Sequence, residues 1–266
     1  MPANPPFDRQ HPSARTAIVT GGTTGIGLAC AQALVARGYK VAIGARRAGD
    51  ASVQAEVQSA VGRDAMLAPL DVANRASVNS FMASVRDALG DPTILVNAAG
   101  IYHEAFLHNH SDAAWEDQID INLSGAFRMT RAVFPGMIGA GWGRIANIAS
   151  TAGTKGERGY AAYCASKAGL IGLSKATAVE GAPHGISCIA ISPTWVETPM
   201  MENAFDRIAT AQGISRAAAR AVIAGSNPQG RIVQASEVAA MVDFFCTDAA
   251  PALTNVDIQI NAGADW

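Results

Sequence analysis

The feature that most constrains the fold is an alternation of short, almost wholly apolar runs with longer stretches of helical period. Thr16 to Thr20 (TAIVT) leads into a helical stretch from Ile26 to Ala36. Lys40 to Gly44 (KVAIG) precedes a helical stretch near Val53 to Ala60, and Ala65 to Leu70 precedes another near Val78 to Leu89. Further runs stand at Thr93 to Ala98, Arg144 to Ile148, Ile186 to Ile191 and Val256 to Ile260. Strands this apolar are buried on both faces, which calls for a parallel sheet covered by helices on each side. Repeated β-α-β connection of that kind builds an α/β, Rossmann-type, doubly wound parallel sheet. The expected organisation is one domain over residues 15–266 behind a loose tail at 1–14. One irregular insertion, at about 197–231 and rich in Met, Ala and Arg, sits where a substrate lid can be built.

Charge narrows the partners. Charged residues are 16% of the chain and the net charge is -2, which offers no footprint for a nucleic acid or an anionic membrane. No apolar run approaches the roughly 18 residues of a membrane span. The opening MPANPPFDRQHPSAR carries prolines and charges where a signal peptide needs an apolar stretch. Cys30, Cys164, Cys188 and Cys246 form no CxxC pair, so neither a zinc site nor a disulfide framework is expected, and the cytoplasm is the default location. His103, His108 and His110 share one loop and read as solvated rather than as a metal site. What remains is a small-molecule partner.

Thr20-Gly21-Gly22-Thr23-Thr24-Gly25-Ile26-Gly27 directly follows the first strand and opens the first helix. Glycines let the backbone turn sharply and approach a pyrophosphate, and the helix end then presents free N–H groups and a positive dipole. In this position the turn predicts a dinucleotide site. An acidic residue ending the second strand favours NAD by binding its ribose hydroxyls. That place holds Ala45, followed by Arg46 and Arg47, and a guanidinium can clamp the extra phosphate of NADP. NADP(H) is therefore favoured, with NAD(H) as the alternative.

Tyr163-Cys164-Ala165-Ser166-Lys167 places a phenol and an ammonium on one helix face, four residues apart. A nearby cation favours the phenolate and is expected to lower the tyrosine pKa toward neutrality. Cys164 adjoins the tyrosine but points elsewhere on a helix. Tyr160 is a rival phenol, yet its i+4 residue is Cys164, so it reads as a pocket wall. Ser150 stands thirteen residues before Tyr163, at the end of a strand, and Asn122 twenty-eight before Ser150.

Those intervals match an Asn-Ser-Tyr-Lys tetrad. Together with the GxxxGxG spacing, they make the chain from Thr16 onward resemble the short-chain dehydrogenase/reductase family. The resemblance implies that Asn122, Ser150, Tyr163 and Lys167 are catalytic. It implies hydride transfer between a nicotinamide and a carbonyl carbon, with Tyr163 giving the proton and Ser150 bonding the oxygen. Lys167 would also bond the nicotinamide ribose, and Asn122 would hold a water that relays protons. Asp71-Val72 looks like the pair that holds the adenine. Asn97-Ala98-Ala99-Gly100 resembles the family's NNAG turn, with Ala98 where Asn is commoner. Pro193-Thr194-Trp195-Val196-Glu197-Thr198 resembles a PGxVxT stretch in which Thr198 meets the nicotinamide, although Thr194 replaces the usual glycine.

Ser150, Ala152, Tyr160, Tyr163 and Trp195 are the expected substrate contacts, with Met200 and Met201 either pocket wall or ordinary core. The stretches 148–153 and 227–231 resemble bacterial 3-oxoacyl-thioester reductases and 3-hydroxyacyl-CoA dehydrogenases, with polyketide ketoreductases as near relatives. Ala152 and Tyr160 stand where the family's 3-hydroxybutyrate dehydrogenases place a histidine and a lysine, so a small free carboxylate fits poorly. A sugar or polyol dehydrogenase, a 3-hydroxybutyrate-type dehydrogenase and a non-catalytic dinucleotide-binding scaffold are the alternatives. Family members are usually homotetramers, which predicts pairing through helices around Trp115–Ile138 and Tyr163–Glu180 and a second interface at the last helix and strand, with a homodimer as the alternative.

Overall fold

The structure is a computed structural model that describes residues 15–264; the expected tail at 1–14 lies outside the described residues. Strands β1 (Thr16–Thr20), β2 (Lys40–Ala45), β3 (Met66–Pro69), β4 (Pro92–Asn97), β5 (Gly143–Ile148), β6 (Ile186–Pro193) and β9 (Val256–Ile260) form a seven-stranded sheet in the order β3-β2-β1-β4-β5-β6-β9. Every pairing in it is parallel. The expected doubly wound α/β sheet is what the chain forms.

The strands' two-residue period explains why apolar runs were needed. In β1, Ala17 and Val19 join a core with Leu34 of α1 (Gly25–Ala36), Val57 of α2 (Ala51–Val61) and Phe245 of α9 (Ala235–Phe245). Ile18, between them, faces the opposite layer. There it meets Phe81 of α3 (Arg75–Leu89), Met129 of α5 (Gly125–Ala140) and Ala178 of α6 (Ala161–Gly181). A residue of either parity is thus buried, and no polar side is left to face water.

Between α4 (Asp112–Ile119) and α5 the chain makes one π-helical turn, Asp120–Ser124, a local widening that often accompanies function. The sequence pattern carries no sign of it. The insertion also departs from the irregular stretch expected. It holds two helices, α7 (Pro199–Gln212) and α8 (Arg216–Gly225), between two short strands that pair, β7 (Val196–Glu197) and β8 (Val233–Gln234). Pro199 stands in the first turn of α7, Gly213 ends it in the left-handed conformation, and Ser215 caps α8 by accepting from the Ala218 N–H. Met201, Phe205 and Ile223 close a small core of their own, so short-range chemistry does shape the segment. Its alternating charges concealed that pattern. Arg216 pairs with Glu202 and Arg220 with Glu197.

Candidate active site

Strand order reverses between β1 and β4, and that switch point opens a crevice at the strands' carboxyl ends. The glycine turn lines it. Gly21 adopts φ +65°, and a Cβ there would come within 2.8 Å of the Ala99 backbone. A Cβ on Gly27 would collide with the Gly21 carbonyl. Thr24 precedes α1 without a side-chain cap hydrogen bond, and no acidic residue stands in the first turn. By contrast, α3 is capped by Asn74, which accepts from the Ser77 N–H at 3.0 Å. The first-turn N–H groups of α1 therefore remain available to an anion, and the donor set fits the pyrophosphate of a dinucleotide.

Thr23, Thr24, Gly25, Ile26, Arg46, Arg47, Asp71, Val72, Ala98, Gly100 and Thr198 lie on the walls of the same cleft. Arg47 is bound to Asp50 at 2.8 Å, whereas Arg46, also exposed, has no ion-pair partner among the described residues. The turn at Ala98 does not depend on the missing amide. The Thr20 hydroxyl accepts from the backbone N–H groups of Ala98 and Ala99 at 3.2 and 3.1 Å, tying β1 to the turn.

Asn97 is the exception among the expected cofactor contacts, because it is buried beneath the crevice rather than on its wall. Its amide donates to Asn147 Oδ1 at 2.8 Å, and the Asn147 amide donates to the Ser174 hydroxyl at 2.8 Å. Ser174 donates in turn to the Leu170 carbonyl at 2.7 Å. This buried chain ties β4 and β5 to α6, the helix that carries the YxxxK pair. Asn147 and Ser174 escaped the sequence reading, since nothing local marks a partner 27 or 50 positions away.

Ser150 leaves the end of β5, and Tyr163 and Lys167 project from the first turns of α6 into one cavity. The Ser150 hydroxyl accepts from the Ala152 N–H at 3.1 Å and is hydrogen-bonded to the Tyr163 phenol. Lys167 is buried, donates to the Ile148 carbonyl at 2.7 Å, and holds its Nζ 5.6 Å from the Tyr163 ring centre. The electrostatics reverse the expected direction for the phenol. Burial pushes Tyr163 up to about 12, with the Ser150 hydrogen bond pulling the other way. Burial also pulls Lys167 down to about 8. Desolvation of the charged form is the largest influence at both groups.

Asn122 sits in the π-helical turn and is buried. Its amide donates to the Ile101 carbonyl at 2.9 Å and the Ser166 hydroxyl at 3.0 Å, while its oxygen accepts from the Ile101 N–H at 2.8 Å. The side chain thus joins the loop after β4 to α6.

The expected substrate contacts Ala152, Tyr160 and Trp195, together with Pro193 and Val196, line the cavity around Tyr163. Met200 and Met201 line it too, and Met201 is also packed in the α7–α8 core. Tyr102, Lys155 and Glu157 were not anticipated. They come from loops whose sequences carry no motif, and only the fold brings them here. Lys155 pairs with Glu157 at 3.3 Å. The loop histidines separate in space: His108 stacks on Phe106 and His110 meets the edge of Trp115. Among the described residues no group of His, Cys, Asp and Glu is placed to hold a metal ion.

Comparison with known proteins agrees with this geometry. The family model described as short chain dehydrogenase matches residues 15–209. A putative ketoacyl reductase of the monensin polyketide synthase of Streptomyces virginiae is 38% identical over 253 residues, covering 94% of this chain and 97% of the relative. A D-beta-hydroxybutyrate dehydrogenase of Cupriavidus necator is 36% identical over 237 residues, 89% of this chain and 92% of the relative. Among solved structures, an actinorhodin polyketide ketoreductase variant with NADPH superposes with a TM-score of 0.89 at 36% identity, over 94% of this chain and 97% of that one. The chain belongs to the short-chain dehydrogenase family and is an oxidoreductase that interconverts a ketone and an alcohol with NAD(P).

Proposed function

We propose that the chain reduces a 3-oxoacyl thioester or a similar ketone with NADPH, with Ser150, Tyr163 and Lys167 as the reacting set. The observation that carries this reading is their convergence on one largely apolar cavity beside the glycine-lined cleft. When bound, the nicotinamide cofactor supplies the hydride. Tyr163, kept protonated by burial, gives its proton to the carbonyl oxygen, and Ser150 donates a hydrogen bond to the same atom as charge develops on it. Lys167 lies close enough to stabilise the phenolate left behind and would donate to the nicotinamide ribose when the cofactor is bound. Asn122 acts by holding Ile101 and Ser166 in place, which positions the loop and helix around the reacting groups.

Arg46, unpaired at the cleft wall beyond Ala45, supports NADP over NAD, and the NADPH in the solved neighbour agrees. The matching ketoacyl reductase favours an acyl ketone, whereas the uncharged Ala152 and Tyr160 weigh against a small free carboxylate. Free cysteines and the absence, among the described residues, of a helix able to cross a membrane accord with a cytoplasmic setting. The assembly we propose is a homotetramer.

A panel of acetoacetyl-CoA, ethyl acetoacetate, cyclic ketones and sugars, each with NADPH and NADH, tests the reading. The expected result is fastest turnover of a 3-oxoacyl compound, with kcat/KM at least about tenfold higher for NADPH, a difference of about 1.4 kcal/mol. Turnover of sugars alone, or preference for NADH, overturns the corresponding part.

A further inference from the structure

The α7–α8 hairpin packs around its own apolar cluster, apart from the cores that cover the sheet. One polar group fastens it to the loops across the cavity mouth. Arg207 of α7 reaches Glu104 at 2.7 Å and donates to the Tyr160 hydroxyl at 3.1 Å. The Tyr160 hydroxyl donates to the same Glu104 carboxylate at 3.3 Å, which closes the triangle. The guanidinium also lies 5.4 Å from the ring centre of Tyr102. Three segments, the loop after β4, the residue before α6 and the outer helix, thus meet at one side chain.

The two tyrosines it touches are not scattered. Tyr102 and Tyr160 stack with ring centres 5.9 Å apart and planes 10° from parallel, and both line the cavity. Each meets the Tyr163 ring edge-on, at 6.2 and 6.4 Å. The stacked pair forms an aromatic wall next to the proposed proton donor. Arg207 and Glu104 are each more than a third exposed, at 38% and 37%, so the pair contributes little to stability. Its consequence lies in what it holds still.

We propose that Arg207 and Glu104 are positioning residues that set substrate choice, pinning Tyr160 and Tyr102 as a rigid aromatic wall that favours ketones with a flat apolar group beside the reacting carbonyl. The proposal rests on the reading that Tyr163 protonates a 3-oxoacyl-type carbonyl. A wall already ordered in the free enzyme loses little freedom when a ring packs on it, while a loose one must be ordered at binding. Ser150 and Lys167 keep their own contacts to Ala152 and Ile148, and Tyr163 is carried by α6 itself, so loosening the wall leaves the chemical step in place. Binding should suffer rather than turnover.

The test compares ethyl benzoylacetate with ethyl acetoacetate under saturating NADPH, in the wild type, Arg207→Gln, Glu104→Gln and the double variant. The wild type should prefer the phenyl ester in kcat/KM. Each single variant should raise KM for that ester about tenfold, the scale of one aromatic contact, with KM for ethyl acetoacetate and both kcat values within about twofold. Because the two residues act through one contact, the double variant should be no worse than either single one. Equal KM increases for both esters, additive losses, a comparable fall in kcat, or no wild-type preference for the phenyl ester each overturn the proposal. If the wild type reduces neither ester, the 3-oxoacyl reading fails and the proposal falls with it. Should Arg207→Gln fold poorly, Glu104→Gln alone decides the matter.

Discussion

At the scale of single residues, the reacting groups are defined by what burial does to charge. Tyr163, pushed up to about 12, stays protonated across the neutral range, as the proton donor proposed above must. Tyr163→Phe should therefore lower turnover by about 10³-fold, within the usual span for a lost general acid. NADPH affinity, measured by fluorescence titration, should stay within about twofold, because the phosphate cradle and the adenine end are untouched. Turnover like the wild type's would remove Tyr163 from the mechanism. Lys167 makes a different prediction. Its folded pKa of about 8 lies below the ordinary 10.5, so the folded state carries its charge at a cost below pH 8. That cost shrinks as pH rises, because the unfolded chain binds the extra proton between the two values. In urea unfolding, the stability of the wild type relative to Lys167→Met should rise by about 3 kcal/mol from pH 8 to 10.5. Tyr163 titrates in both proteins and drops out of the difference. A flat difference across that window would show that Lys167 is not desolvated.

At the scale of elements, the β1–α1 turn and the start of α6 do most to place the chemistry. The turn is packed so closely that Gly27 has no room for a methyl group against the Gly21 carbonyl. Gly27→Ala must shift the turn, at a cost of about 1–3 kcal/mol. Weaker NADPH binding, by at least about tenfold, and a lower Tm should appear together. Unchanged affinity would mean that this turn does not cradle the phosphates. Helix α6 is held past its middle by Asn97, Asn147 and Ser174, and nearer its start by Asn122 through Ser166. Two of those four residues were marked by motifs in the sequence, and the other two resemble any buried polar residue until the sheet is assembled. The α7–α8 hairpin was hidden for another reason. Its apolar face is short and its charges pair between the helices, so composition alone reads as loop.

At the scale of the molecule, the exposed apolar surface has a pattern. Phe127 and Ile138, three helical turns apart, are exposed along the outside of α5, with half-buried Phe134 between them and Arg131 lying over the Phe127 ring. Val179, near the end of α6, is 64% exposed. Isolated apolar residues on a surface need no explanation, but a stripe along one helix marks an interface. Light scattering on the purified chain should give the mass of a tetramer. Ile138→Asp should reduce that mass to a dimer or monomer while leaving the circular dichroism spectrum unchanged. A wild-type monomer would rule out the assembly proposed above.

The sequence by itself determined the doubly wound sheet and pointed to the glycine turn and to Ser150, Tyr163 and Lys167 as one group, because each depends on local period or on spacing within one or two elements. It also located Ala45 and Arg46 at the end of a strand, where their charge bears on the cofactor. Tertiary structure alone decided that Asn122 binds Ile101 and Ser166, that burial raises the Tyr163 pKa, and that Tyr102 lines the cavity with Glu104 and Arg207 behind it. Desolvation and long-range contact depend on what surrounds a residue in space. No spacing along a chain records that.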